Sequence, residues 1–431
     1  MNILLLGSGG REHALARQLV MSPDCSRLFI APGNSGTALC GTNTDLSLKD
    51  FESIGSFCLK EDIKMLVVGP EEPLVNGIAD FFENNNILKH IAVIGPSAHG
   101  ARLEGSKDFS KAFMHKFGIP TASYRSFGKD ELEAGIAFLH TLKPPYVLKA
   151  DGLAAGKGVL ICQTIDEAGK ELKAMLLDNK FGSAGEKVVI EEFLAGIELS
   201  LFVLTDGESY KILPSAKDYK RIGENDSGLN TGGMGAVSPV PFADEAFLKK
   251  VEQSIVIPTT LGLKIEDIPY KGFIFIGLMN VDGEPFVIEY NVRLGDPETE
   301  VVIPRIKNDL VQLFTAVAGK TLKDIEIETD PRTAATVVLV AGGYPGDYKK
   351  GDVITGLESV EDSLVFHAGS SMKDGRLQTN GGRVMAITSF GDSVQQAVGR
   401  SLESAAKIQY ADKYYRKDIG RDLMHFHSNI S

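Results

Sequence analysis

Lys149-Ala150-Asp151-Gly152-Leu153-Ala154-Ala155-Gly156-Lys157-Gly158-Val159 follows Tyr146-Val147-Leu148, a short apolar stretch that reads as a buried strand. Lys149 therefore closes an apolar strand, where an unpaired ammonium is costly to bury. A triphosphate would supply the missing partner, and Lys157, between two glycines, stands on a loop able to fold over it. The spacing is not that of a P-loop, which needs a hydroxyl residue where Gly158 stands. The plain alternative is a lysine snorkelling from a strand end beside an ordinary surface loop. Two lysines flanking one Gly/Ala-rich loop favour the phosphate. Downstream, Val188–Glu191 supplies a second strand, so residues 121–192 read as a small α+β unit around the loop. Glu191-Glu192-Phe193-Leu194 can offer backbone groups to an adenine edge and a carboxylate to ribose hydroxyls. A Glu pair is also an ordinary solvated strand end.

Further along, Leu199–Thr205 and Gly272–Ile288 are strand-rich, with Asp282-Gly283 marking a hairpin turn. Pro285-Phe286-Val287-Ile288-Glu289-Tyr290-Asn291-Val292-Arg293 then runs from apolar to polar. Glu289 and Asn291 lie two apart on a strand and face the same way. Two hard oxygen donors on one side suit Mg²⁺, which accepts one or two protein ligands plus phosphate oxygens and water. Arg293 is expected on that face too, holding a phosphate or carboxylate; the competing reading pairs it with Glu289. Glu300 to Val317 reads as helix. A last unit begins near Thr333, with strands at Ala335–Val340, Leu364–Ala368 and Arg383–Thr388 and a helix from Ser393 to Tyr410.

Before the lysine loop, Asn2–Gly7, Leu28–Ala31, Met65–Gly69 and Ile91–Gly95 read as buried parallel strands, with helices at Glu12–Val20 and Val75–Asn84. This βαβ pattern predicts an open, doubly wound sheet with ligands at the strand C-terminal ends. Gly7-Ser8-Gly9-Gly10-Arg11-Glu12 is a poor dinucleotide fingerprint, because Glu12 stands where the third glycine belongs. An anion cradle and a simple tight turn fit that loop equally well. A helix from Ser106 to Phe117 is stopped by Gly118-Ile119-Pro120. The division expected is 1–102, an α/β substrate-binding domain; 103–325, a central domain with residues 121–192 as a flap; and 326–431, a small α+β domain.

At 431 residues the chain exceeds one ordinary core. A net charge of −12 argues against general nucleic-acid binding, which needs basic surface. The apolar runs fall short of the roughly 20 residues that span a bilayer. The four scattered cysteines form no CxxC pair and suggest neither zinc nor disulfides, so a reducing cytoplasm is expected.

Taken in order, the lysine strand, glycine-rich flap, acidic hinge pair and E-x-N-x-R strand resemble the ATP-grasp superfamily. Longer motifs sharpen this: GSGGREH (Gly7–His13), APGN (Ala31–Asn34), GPEEPLV (Gly69–Val75), LEGSK (Leu103–Lys107), KADGLAAGKGV, NTGGMGAVSP (Asn230–Pro239), GDPE (Gly295–Glu298) and GGR (Gly381–Arg383). Together they resemble the phosphoribosylamine–glycine ligase family over nearly the whole chain. That family's D-H-K-R and R-F-G-D-P-E appear here with Tyr219 and Leu294 instead. Tyr219 is expected to alter a contact near the substrates, and Leu294 only packing. The second metal-binding Glu of other ATP-grasp enzymes aligns with Gly277, leaving two protein ligands.

The resemblance implies an ATP-grasp fold, a small α+β flap plus a central α+β domain, between an N-terminal doubly wound α/β unit and a small C-terminal α+β unit. It implies ligation of glycine to 5-phosphoribosylamine through glycyl phosphate, with ATP and Mg²⁺ or Mn²⁺ as cofactors, by a monomer with neither nucleic-acid nor membrane partners. It puts ATP on Lys107, Lys149, Gly156, Lys157, Gly158, Glu191, Glu192, Leu194 and Glu198. Arg293, Asp296 and Lys157 would be catalytic, and Glu289 and Asn291 would hold the metal. Gly7, Gly9, Gly10, Asn34, Glu71, Asp218, Lys220, Asp296 and Arg383 would bind substrates, the 5-phosphate lying between Gly7–Gly10 and Arg383. For Arg383 an interdomain salt bridge fits as well; for Glu71, so does an ordinary loop carboxylate. The competing functions are a ribotide-carboxylating or formylating ATP-grasp ligase, a nicotinamide oxidoreductase resting only on the first loop, and a noncatalytic nucleotide-binding regulator.

Overall fold

The first strand, Asn2–Gly7, pairs in parallel with Arg27–Pro32 on one side and Ile63–Val68 on the other. In this computed structural model, which describes residues 1–153, 158–178 and 180–426, Thr42–Asn43 and Ala92–Ile94 complete the parallel sheet at its two edges. The strand order reverses between Asn2–Gly7 and Ile63–Val68, so the loops after those strands open on one crevice. The expected doubly wound sheet is present. Beyond the expectation it has the two-residue strand Thr42–Asn43, too short to read, and the helices Phe51–Lys60, capped by Asp50, and Ala98–Gly105, capped by Ser97. The single helix expected over Val75–Asn84 is instead two, Glu71–Val75 and Ile78–Asn84, parted at Gly77.

The flap unit is a four-stranded antiparallel sheet in the order Tyr124–Gly128, Lys187–Glu192, Tyr146–Ala150, Val159–Cys162. Its outer two strands were not foreseen. Helices Leu132–Leu139 and Ile165–Leu176 cover it, and Phe127, Leu148, Leu172, Met175 and Ile190 belong to a core of its own. Asp151 ties this unit to the helix Lys107–Lys116: its Oδ1 accepts from Ser106 Oγ at 2.9 Å and from Asp108 N at 3.1 Å. The expected Ser106–Phe117 helix is thereby present, with Ser106 as its cap.

The centre is an eight-stranded antiparallel sheet. Glu284–Asn291, Gly272–Val281, Ile197–Thr205 and Tyr210–Asp218 form one half, and Thr333–Val340, Arg383–Gly391 and Leu364–His367 the other. The short Gly235–Ser238 strand joins them, so one ladder crosses the segment around residue 326 where two units were expected. Asp282 and Gly283, both at positive φ, make the hairpin turn. The continuous helix expected from Glu300 to Val317 is not formed. The chain makes Thr299–Val302, a 3₁₀ turn at Ile303–Arg305 and a fresh helix Leu310–Gly319, because Pro304 cannot donate to the ladder and Asp309 caps anew. Ser393 caps the last helix, Val394–Lys407, which ends before the expected Tyr410.

Candidate functional site

Glu289 and Asn291 lie at the end of the hairpin's second strand and project to one side. Gly277 stands opposite Glu289 in the register, and a Cβ there would lie 3.3 Å from Glu289 Cγ. The facing strand thus gives the carboxylate room instead of a second acid. Burial alone would raise the Glu289 carboxyl, but Lys107, Lys220, Lys149 and Arg293 outweigh it and hold it below its ordinary range. Lys107 Nζ stands 3.9 Å from Glu289 Oε2. Among the described residues no three His, Cys, Asp or Glu converge as a cage for a metal. One carboxylate and one amide oxygen fit a cation whose shell phosphate oxygens complete.

Arg293 comes after the strand has ended and turns from Glu289. Its Nη2 donates to Glu104 Oε1 at 2.8 Å, and its Nε lies 3.3 Å from Glu71 Oε2. Glu104 Oε2 also accepts from Val292 N at 2.8 Å, so one buried carboxylate fixes the strand exit. The Glu289–Arg293 pair weighed from the sequence is not formed. Glu71, left open there, comes to the arginine; burial would raise its carboxyl, but Arg293 and Arg11 bring it down.

On the flap side, Lys149 Nζ lies 2.9 Å from Glu191 Oε2 and donates to Ile288 O at 3.1 Å. Lys111 Nζ lies 3.1 Å from the same carboxylate oxygen. Glu192 is turned to the hinge, accepting from Ser123 N at 2.8 Å, and Leu194 is half-buried. Gly158 O accepts from Ala150 N at 2.8 Å, closing the base of the loop. Gly156 and Lys157 lie outside the described residues. Lys220 bonds Glu198 at 2.8 Å, and beside them burial raises the Asp218 carboxyl. Buried Glu298 is pushed up to about 7 by burial and then by Asp218.

At the other end, the first βα loop holds protein carboxylates. Glu12 accepts from Gly9 N at 2.6 Å and from Arg11 Nε at 2.6 Å, and Asp296 Oδ2 accepts from Arg11 N at 3.2 Å. Gly9 is required by that approach, since a Cβ on it would stand 2.9 Å from Asp296 Oδ2. Gly10 and Gly7 pack in the same way against Glu300 and Glu12. Arg383 Nη1 lies 3.0 Å from Asp296 Oδ1 and donates to the carbonyls of Asp296 and Gly232, each at 2.7 Å. The interdomain salt bridge weighed for Arg383 is therefore formed. Burial would raise the Asp296 carboxyl, but Arg383 and Arg11 hold it low.

Between this loop and the last unit lies a cavity of about 330 Å³, lined by Ser8, Gly9, Asn34, Asp296, Asn380 and Arg383 among others. Asn34 lines it, but its amide is committed to the protein: Nδ2 donates to Ser8 O and His367 O, and Oδ1 accepts from Gly36 N and Thr37 N. A second cavity of about 340 Å³, at Asp347, Tyr348 and Asp412, shares none of these residues. The junction also buries two imidazoles, with His13 Nδ1 accepting from His367 N at 2.8 Å.

Sequence reasoning missed Lys111, Glu104, Glu12 and Glu298 as parts of the site. Glu104 and Glu298 stood inside the quoted LEGSK and GDPE motifs, and Glu12 was read only as a missing glycine. Nothing local marks Lys111. Asp218 and Lys220 interact with Glu198, whereas the buried Tyr219 ring packs 4.2 Å from Lys217 Nζ and its hydroxyl donates to Asp422 at 2.6 Å. The Tyr219 hydroxyl thus meets the C-terminal segment. Leu294 is buried among Phe202, Phe275 and Val301, a packing position as expected.

Three family models match the chain: the Phosphoribosylglycinamide synthetase N domain over residues 1–104, its ATP-grasp (A) domain over 105–299, and its C domain over 334–422. The phosphoribosylamine–glycine ligase of Vibrio vulnificus is 45% identical, over 97% of this chain and 98% of that one. That of Pasteurella multocida is 46% identical over 97% of each. The crystal structure of phosphoribosylamine–glycine ligase from Thermotoga maritima superposes with a TM-score of 0.84 at 37% identity, covering 97% of this chain and all of that one.

Proposed function

This chain belongs to the phosphoribosylglycinamide synthetase family and is an ATP-dependent ligase of glycine and 5-phosphoribosylamine; we propose that the residues of the cleft divide the reaction as follows. ATP phosphorylates the glycine carboxylate, giving glycyl phosphate and ADP. The ribosylamine nitrogen then attacks the acyl carbon, phosphate leaves, and the nitrogen loses a proton to give glycinamide ribonucleotide for purine synthesis.

The observation that carries this assignment is the line of charge from Lys149 through Lys107, Glu289 and Arg293 to Asp296 and Arg383. Lys149, Lys107 and Lys157 hold the phosphates, and Glu191, Glu192, Leu194 and Glu198 hold the nucleoside. Glu289 and Asn291 would hold Mg²⁺ or Mn²⁺, which supplies charge neutralisation across the transferring phosphoryl group. Arg293, fixed by Glu71 and Glu104, orients the anionic carboxylate. Asp296 positions the attacking amine. Arg383 takes the 5-phosphate in the cavity beside Gly9, exchanging Asp296 for it. Asp218 and Lys220 border the glycine side, where Asp218 and Glu298 contribute carboxyls raised by burial.

Among the described residues no helix is long and apolar enough to cross a membrane. The four free cysteines support a reducing, cytoplasmic setting. The deciding assay follows ADP release with glycine and phosphoribosylamine omitted in turn. Release that needs neither substrate, or that needs bicarbonate or formate instead, would replace this reading.

A further inference from the structure

Lys111 is 2% exposed, Glu191 3% and Lys149 4%, so three ionised groups are buried together. Both ammonium groups approach the same carboxylate oxygen, Glu191 Oε2, at 3.1 and 2.9 Å. Glu191 Oε1 is buried with no hydrogen-bond partner among the described residues. One carboxylate would suffice for Lys149, and burying a further ion is unfavourable unless something is gained. The extra ammonium also stands where it ties three elements together. It lies on the helix Lys107–Lys116, reaches Glu191 on the flap strand, and donates to Thr121 Oγ1 at 2.7 Å. Thr121 Oγ1 in turn donates to Val287 O at 2.7 Å, on the strand that carries Glu289 and Asn291.

We propose that Lys111 is a positioning residue of the nucleotide half-site: by drawing on Glu191 Oε2 it loosens that carboxylate's hold on Lys149 and leaves the Lys149 ammonium available to a polyphosphate. The inference rests on the reading above, in which ATP phosphates lie at Lys149. Two cations sharing one anion leave the buried set one positive charge in excess, and a polyanion completes it. Without Lys111, Glu191 and Lys149 neutralise each other and the phosphate competes with an intact ion pair.

The charged and titratable groups facing Lys111 are Glu191, Lys149, Glu192 and the Tyr124 ring at 5.6 Å. Burial lowers the Lys111 ammonium to about 8, opposed by Glu191 and reinforced by Lys149. Loss of that proton is the pH-driven equivalent of removing the side chain's charge.

The test is calorimetric binding of MgADP to the full chain between about pH 6.5 and 9.5. Native protein, Lys111→Met, Lys111→Arg, Thr121→Val and Lys149→Met are compared. Lys111→Met is expected to weaken MgADP roughly ten-fold at neutral pH. Native affinity should fall as pH rises through the range where Lys111 deprotonates. Lys111→Met should lack that fall, and Lys111→Arg should bind like the native protein with no fall. The KM for ATP should rise in Lys111→Met with that for glycine unchanged. Thr121→Val, which frees the Lys111 head without removing it, should show a smaller loss of the same kind and serves if Lys111→Met does not fold. Native affinity in Lys111→Met, or a loss equal at every pH, would overturn the proposal. Native affinity in Lys149→Met would instead overturn the placement of the nucleotide.

Discussion

At the flap end of the cleft, two buried ammonium groups crowd one oxygen of Glu191, whereas at the far end the Arg383 guanidinium is met by the Asp296 carboxylate and by the carbonyls of Asp296 and Gly232. The first arrangement carries more positive charge than its carboxylate neutralises; the second is satisfied by the protein itself. A ligand entering the first completes a charge set. A ligand entering the second must exchange for an existing partner. Substitutions at the flap end should therefore act mainly on affinity, and those at the Arg383 end on affinity and domain docking together.

The strand proposed to hold the metal lies between the two ends and should give the largest effects. Glu289→Gln and Asn291→Ala each remove one of two protein oxygen donors. Loss of an outer-shell partner already costs roughly ten- to a hundred-fold, so turnover should fall by more than about a hundred-fold for either variant. Glycine-dependent ADP release titrated with Mg²⁺ measures this, with thermal melting unchanged. Normal activity at limiting Mg²⁺ would remove the assignment.

The two ends themselves come next. Lys149→Ala should raise the KM for ATP roughly ten- to a hundred-fold, with little loss of melting temperature, since Glu191 keeps Lys111. Arg383→Ala should raise the KM for phosphoribosylamine by a similar factor. It should also lower the melting temperature by roughly a few degrees, because Asp296 and Gly232 lose their partner. Equal melting losses in both variants would break the contrast.

Acidity should separate the ends again. His13 is lowered to about 3, by burial first and then by His367 and Arg17, and His367 is lowered to about 4 by burial. An unfolded chain takes up these protons near the ordinary value of about 6.5, while the folded chain refuses them. The stability is therefore present above that ordinary value and declines as pH falls toward 4. His13→Gln, which can still accept from His367 N without titrating, should flatten the acid side of the melting profile. A profile unchanged by His13→Gln would show that the buried pair is not what acid attacks.

How much of this was legible depended on sequence distance. The parallel strands, the Asp282-Gly283 turn and the Glu289/Asn291 pair are written in local period and turn chemistry, and each appears where expected. The Lys111–Glu191 contact joins residues about eighty positions apart, and Arg11 meets Asp296 across about 285. Nothing in either neighbourhood marks such partners. The shared eight-stranded sheet escaped for the same reason: its joining strand, Gly235–Ser238, is four residues long and sits inside a glycine-rich motif that reads as loop. Glu12 was visible but misread, since a carboxylate filling an anion cradle from within looks, in sequence, like a damaged cradle.

The smallest expected effect concerns Tyr219, which the resemblance expected to alter a contact near the substrates and whose hydroxyl is committed to Asp422. Its hydroxyl donates to Asp422 Oδ1, while Asp422 Oδ2 lies 3.1 Å from Lys217 Nζ, and its ring lies over the Lys217 ammonium. Tyr219→Phe removes only the hydroxyl's bond, and the half-exposed Asp422 can turn to water or stay with Lys217. A hydrogen bond to a charged group contributes about 1.5–3 kcal/mol when well buried, so here the loss should be about 1 kcal/mol or less. The KM values for ATP, glycine and phosphoribosylamine should all stay native, because Asp218 and Lys220 keep their partners on the other side. A raised KM for any substrate in Tyr219→Phe, at unchanged melting temperature, would return this residue to the cleft and place the C-terminal segment beside it.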